Sequence, residues 1–317
     1  MEQFVRQFIK THEQVVNFYG LASKDTLTLA AKYTLANKPF SGMTLLNKKV
    51  ELDRLLTNGV KKKYLFRGNF LDEDFATQFL IGDESTMDLK AFPARVWKLI
   101  DAGFPKKPNT VQAAIYLTEN EGHADRAYQL YKEMKKSNPF LTGRIDIPIS
   151  VYLTQISFLK SASIAEQIND YYNELKGTFK RGKALHQLSQ LLVLCTPTYN
   201  EQLVAYIKQL KLQLEKRKIR VTKKFYVLIG ILALSKSDDH LINEVMVAYN
   251  ALINTKQLKS NKDIALQIAI KRTIQQKEND TKVIPIEAGL KLSDLVEFST
   301  NALDVSVELG IFEFINF

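Results

Sequence analysis

The residues able to do chemistry are few and scattered. Four histidines, His12, His123, His186 and His240, and a single cysteine, Cys195, are spread along 317 residues. No two histidines stand at the His-x-x-x-His spacing that turns both rings toward one zinc ion, and a lone cysteine offers no Cys-x-x-Cys pair. Cys195 closes the apolar run "LSQLLVLC" and reads as a small buried hydrophobe rather than a nucleophile. His186 precedes it at a separation that does not make a nucleophile–base pair. Asp72, Glu73 and Asp74 suit the positive end of a helix and lack the alternating oxygen ligands of a calcium loop. Asp238, Asp239 and His240 read as a cap before "LINEVMVAY". No glycine-rich phosphate loop with its lysine is present. The expectation is therefore no catalytic, metal-binding or cofactor-binding residues and no cofactor. An enzyme with an unrecognised site stays as a third reading.

Charge carries more information. The chain has a net charge of +10, and the whole excess falls between Lys176 and Lys224, where twelve basic residues face only Glu201 and Glu215. Within this segment Lys180, Arg181 and Lys183 form one cluster, and Lys216, Arg217, Lys218, Arg220, Lys223 and Lys224 form another. These nine are the candidate anion-binding residues. A single-sign region attracts anionic partners without sequence specificity, whereas the plainer reading is a solvated surface. Lysines at this density are expected to be exposed, and the two clusters would fall at successive junctions along one edge.

A second stretch, "KKSNPFLTGRIDIPISVYLT" (135–154), has the composition of a loop. Asn138 before Pro139 ends a helix, because the residue before proline is pushed out of the α region. Asp146 is a candidate N-cap, and Pro148 is tolerated in a first helical turn. Phe140 and Leu141 are expected to tuck beneath the turn as an apolar plug. The alternative is a polar pair, Arg144 with Asp146, in a groove.

The elements that must position these residues read as helices. "AAIYLT", "ISVYLT", "LSQLLVL" and "LIGILAL" place Leu117, Leu153, Leu192 and Leu232 at intervals of 36, 39 and 40 residues. "YKEM", "YNEL" and "YNAL" recur in the stretches that follow, and Leu203, Ile207, Leu210 and Leu214 give the intermediate copy an amphipathic face. Each unit is a largely apolar helix, a break, and an amphipathic helix. The apolar helix needs cover on both sides, which stacking of units supplies. The expected fold is all-α, an α-solenoid-like stack of antiparallel helix pairs with repeats of about 36–40 residues.

Residues 1–108 read as a less regular helical region, continuous with a repeat region over 109–317. In the first, Asp25 is a candidate cap, Asn58-Gly59 a stop, and Pro93 an early-turn residue. Trp97 and the other aromatic residues read as core. The stretch "LDVSVELGIFEFINF" (303–317) fits either a terminal cap helix or an extended tail. The start, "MEQFVRQFIKTHEQVV", lacks the basic lead and apolar run of a signal peptide. The longest apolar run, "FYVLIGILAL" (225–234), is about half the ~20 residues that cross a bilayer. No membrane insertion is expected, and the single cysteine fits a reducing, cytoplasmic setting.

The runs "EMKKSNPFLTGRIDIP", "LKGTFKRGKALHQLSQLLVL" and "KKFYVLIGILAL" resemble a family of uncharacterised helical bacterial proteins, a domain of unknown function from Gram-positive species. The likeness lies in the Pro-Phe-Leu-Thr-Gly turn before an acidic-then-proline helix start and in the basic-glycine turn Lys180-Arg181-Gly182-Lys183. Arg144-Ile145 stands where that pattern is more acidic. The resemblance implies an all-helical protein and brings no catalytic residue with it. The favoured function is a non-enzymatic scaffold or adaptor for a protein or peptide partner. The alternative is a polyanion or nucleic acid held by segment 176–224.

Overall fold

The computed structural model describes residues 1–59, 69–81, 89–156, 159–196, 198–235, 240–277 and 292–299. Among them there is no strand, and the chain is all-α. The helices are α1 (Glu2–Tyr19), α2 (Lys24–Leu35), α3 (Gly42–Gly59), α4 (Asn69–Ile81), α5 (Phe92–Asp101), α6 (Pro108–Ala113), α7 (His123–Ser137), α8 (Ile147–Ile156), α9 (Ser161–Leu175), α10 (Lys183–Cys195), α11 (Glu201–Lys216), α12 (Tyr226–Leu234), α13 (Leu241–Ile253), α14 (Lys262–Lys277) and α15 (Leu292–Phe298).

Their faces follow from the apolar pattern. α9 buries Ile164, Ala165, Ile168, Tyr171 and Leu175, a single stripe at i, i+3/i+4 and i+7 spacing, and α11 buries Leu203, Val204, Ile207, Leu210 and Leu214 in the same way. By contrast, α8 is buried from Ile147 to Thr154 and α10 from Leu185 to Leu194. α12 buries every residue from Leu228 to Leu234. The striped and the fully apolar helices alternate along the chain and form two layers. In one layer α7, α9, α11, α13 and α1 touch in that order; in the other α8, α10, α12, α14 and α2 do so. Consecutive helices such as α7 with α8, α9 with α10 and α13 with α14 pack as hairpins between the layers. α15 lies against α12 and α14, and its Phe298 stacks on Tyr152 of α8 with ring centroids 4.3 Å apart. The apolar layer is thus covered by striped helices on one side and by α15 on the other. Leu117, Leu153, Leu192 and Leu232 are all buried.

The first hairpin also meets the last. α2 packs on α14 and α1 on α13, the Gln275 amide donates to the Leu35 carbonyl at 3.2 Å, and the Arg272 guanidinium lies 5.0 Å from the Phe4 ring centroid. One hydrophobic core runs from Phe4 to Phe298. No helix among the described residues is long and apolar enough to cross a membrane.

Three local expectations are corrected. The cap of α2 is Ser23, not Asp25: the Ser23 hydroxyl accepts from the Thr26 amide and the Thr26 hydroxyl accepts from the Ser23 amide, a reciprocal capping box. Trp97 is 37% exposed on α5, with the Lys106 ammonium 4.8 Å from its ring centroid, so it is not core. Phe140 and Leu141 form no plug. Phe140 is 93% exposed and Leu141 half-buried, because Thr142 and Ile145 turn inward instead. The tail 303–317 and the side chains of Asp72, Glu73, Asp74 and Cys195 lie outside the described residues, as do Asp238 and Asp239.

Candidate anion-binding surface

The two basic clusters sit on the connections α9–α10 and α11–α12, and the backbone explains why their charges point outward. After α9 the chain buries Phe179, whose ring meets Tyr226 edge-on at 4.8 Å. The Tyr226 hydroxyl accepts from the Lys180 amide at 3.0 Å, and the Tyr172 hydroxyl accepts from the Gly182 amide at 3.3 Å. Gly182 has φ +132°, a conformation side-chain-bearing residues rarely adopt, and this turn directs Lys180, Arg181 and Lys183 into solvent. After α11, Lys218 takes a left-handed φ of 61° and the Ile219 amide bonds back to the Leu214 carbonyl at 3.1 Å. The following backbone alternates: Ile219, Val221 and Phe225 are buried, while Arg220, Lys223 and Lys224 are exposed. Lys216, Arg217 and Lys218 are exposed as well.

These connections are neighbours. A Cβ placed on Gly182 would come within 3.8 Å of the Lys223 ammonium nitrogen. The structure therefore brings the Lys223 ammonium against the turn that carries Lys180, Arg181 and Lys183. Arg217 leans the other way and donates to the Asn243 side chain at the start of α13 at 2.6 Å. The two acids of the segment do little to neutralise this surface. Glu215 is held by Lys211 at 2.7 Å, and Glu201 stands in the first turn of α11, at the helix end away from the cluster.

Residues 65–301, which include both connections, match a protein family described as "Protein of unknown function (DUF4003)". The chain belongs to this family. It is also similar to "Uncharacterized protein YeaA" of Bacillus subtilis (strain 168), 25% identical over 202 residues, which are 61% of this chain and 59% of that protein. The match thus spans less than two thirds of the relative's length. No solved structure matches.

Beneath the basic surface this DUF4003 chain holds a buried polar network that the sequence pattern did not reveal. Asp146 is 1% exposed. Its Oδ2 accepts from the Gly143 amide at 2.7 Å and its Oδ1 accepts from the Gln190 side-chain amide at 2.8 Å. It therefore clasps the turn behind it and the neighbouring helix α10, and is not the N-cap of α8. Arg144 beside it is exposed, whereas the Asp146 carboxylate is turned inward. The Thr142 hydroxyl donates to the Met134 carbonyl at 3.1 Å, so at 3.3 Å it accepts from Nε2–H of His186, which is fully buried. Burial pushes the Asp146 carboxyl up and the His186 imidazole down, and in each the attraction of the other opposes the shift. Lys183 also lies close enough to act on Asp146. Sealed from solvent, the network fixes α7, α8 and α10 together and offers no reacting atom to a substrate. The partners Asp146 and Gln190 are 44 residues apart, and only their polarity within apolar helix faces marks them.

His123 plays a similar part. Its Nδ1 accepts from the Thr118 amide at 3.1 Å, so Nε2–H donates to the Val151 carbonyl at 3.0 Å. Burial holds this ring below its ordinary value and hence neutral.

Proposed function

We propose that this chain is a non-enzymatic helical scaffold, its helix pairs stacked as a repeat array whose ends meet, and that the paired connections α9–α10 and α11–α12 bind polyanions. The observation that carries this is the approach of Lys223 to Gly182, which supports reading the two basic clusters as one exposed strip. The helix starts at Lys183 and Tyr226 add the positive ends of their dipoles to the same strip. A sequence-specific reader would need a polar code repeated at equivalent positions, and the strip has none, so the partner is recognised by charge. The plain adaptor reading, with a protein or peptide partner, is thereby narrowed to an anionic one.

The test is retention on heparin and the salt dependence of binding to labelled single-stranded poly(U). Each phosphate contact adds about 0.7 to the slope of log affinity against log salt on single strands. The combined substitution Lys216→Ser, Lys218→Ser, Arg220→Ser should weaken binding and flatten that slope by about two. These side chains are exposed, so the thermal midpoint should stay put. Tight low-salt binding untouched by the substitution would overturn the assignment, and so would no binding at low salt.

A further inference from the structure

We propose that the anionic partner is a lipid bilayer, and that Phe140 enters it when the basic surface docks; this rests on the polyanion reading above. Phe140 is the most exposed large apolar residue described, at 93%. It is presented by an anchored turn rather than a loose one. The Leu141 and Thr142 amides both bond to the Asn138 carbonyl, Thr142 caps Met134, and Asp146 ties the turn to α10. The same connection carries exposed Lys135, Lys136 and Arg144, so cations flank the ring along the chain. Its neighbour is the α9–α10 connection, as Thr142 and His186 show, and beyond that lies α11–α12. Three adjacent connections thus offer cations over a breadth that suits a charged plane better than a single strand.

The posture of the ring separates the two classes of polyanion. A platform for stacking a base lies flat on the protein and shows one face. A ring exposed at 93% has no supporting surface behind it, and an apolar phase covers it on all sides where a stacked base would cover one face. Cations near an anionic leaflet supply the attraction, and the buried aromatic adds to it. Neither suffices alone, which gives the proposal two separable handles.

The experiment uses the full chain in co-sedimentation with vesicles of phosphatidylcholine alone and with about a quarter phosphatidylglycerol. Binding to the anionic vesicles only is expected. Phe140→Ser should weaken that binding roughly tenfold and leave heparin retention unchanged. In a Trp97→Phe background, which removes the sole tryptophan, Phe140→Trp should blue-shift its emission on anionic vesicles. Heparin retention without vesicle binding overturns the bilayer proposal and spares the polyanion reading; loss of both overturns both. Vesicle binding equal for wild type and Phe140→Ser, or no blue shift, overturns the role of the ring. A drop in poly(U) binding on Phe140→Ser, with none on vesicles, assigns the ring to base stacking and overturns the proposal.

Discussion

Replacing Asp146 measures what the buried network contributes. Asp146→Ala removes the acceptor of the Gly143 amide and of the Gln190 side chain and leaves two donors in a site closed to water. Each buried donor without a partner costs about 1–3 kcal/mol, so the loss should be about 2–5 kcal/mol, reduced by the relief of no longer burying a carboxyl. Asp146→Asn keeps the shape and one carbonyl oxygen, so it satisfies one donor and sets its NH2 against the other, for a loss of about 1–2 kcal/mol. The assay is urea unfolding by circular dichroism at neutral pH, with the m-value checked for constancy. The pH dependence supplies a second signature. The folded Asp146 carboxyl is raised above its ordinary 3.8, so its contribution is full below that value and is lost as pH rises through the folded value. The gap between wild type and Asp146→Asn should therefore shrink on going from about pH 5 to neutral. An alanine variant losing less than about 0.5 kcal/mol, or an asparagine variant losing as much as alanine, would refute the idea that these two hydrogen bonds hold the turn to α10.

Two more outcomes are expected. His12, His123 and His186 are all held below the ordinary 6.5 by burial, so the unfolded chain binds more protons in the window between 6.5 and their folded values, and stability should fall as pH drops through it. His123→Gln should flatten that fall by up to about 1.4 kcal/mol per pH unit, and an unchanged slope in thermal melts would mean the ring is not buried neutral. Gly103 has φ +117°, and a Cβ there would stand 2.5 Å from the Tyr128 ring, so Gly103→Ala should lower stability by about 1–3 kcal/mol in the same urea assay. A neutral result would show that the turn after α5 adjusts freely.

Period and polarity made the helices legible in the sequence. The recurrence of Leu153, Leu192 and Leu232 marked buried positions because an apolar helix covered on both sides keeps no polar face, whereas Leu117, also buried, lies in extended backbone just past the 3-10 turn Ala114–Tyr116. The exposure of the basic residues was equally legible, since no local acids could follow them inward. What covers the apolar layer was not, because α15 reaches α8 through Phe298 from the far end of the chain. The Pro139–Asp146 turn shows the other limit. Hydrophobicity placed Phe140 inside, yet it is Thr142 that finds a carbonyl and an imidazole, whereas Phe140 stands exposed. The join between Asp146, His186 and Gln190 depends on tertiary contact and leaves no spacing to detect.

The meeting of α1–α2 with α13–α14 has a consequence for how the chain is made. The bond from Gln275 to Leu35 spans 240 residues, so the first hairpin emerges from synthesis long before the surface that covers it exists. An open array can add or lose a unit at its end and keep the rest, since each unit leans only on its neighbours. Here α1–α2 packs on α13–α14, so removing either hairpin uncovers apolar surface on the other. Folding should accordingly complete late, with a slow step set by bringing the two ends together, and N-terminal fragments should be sticky until that step occurs.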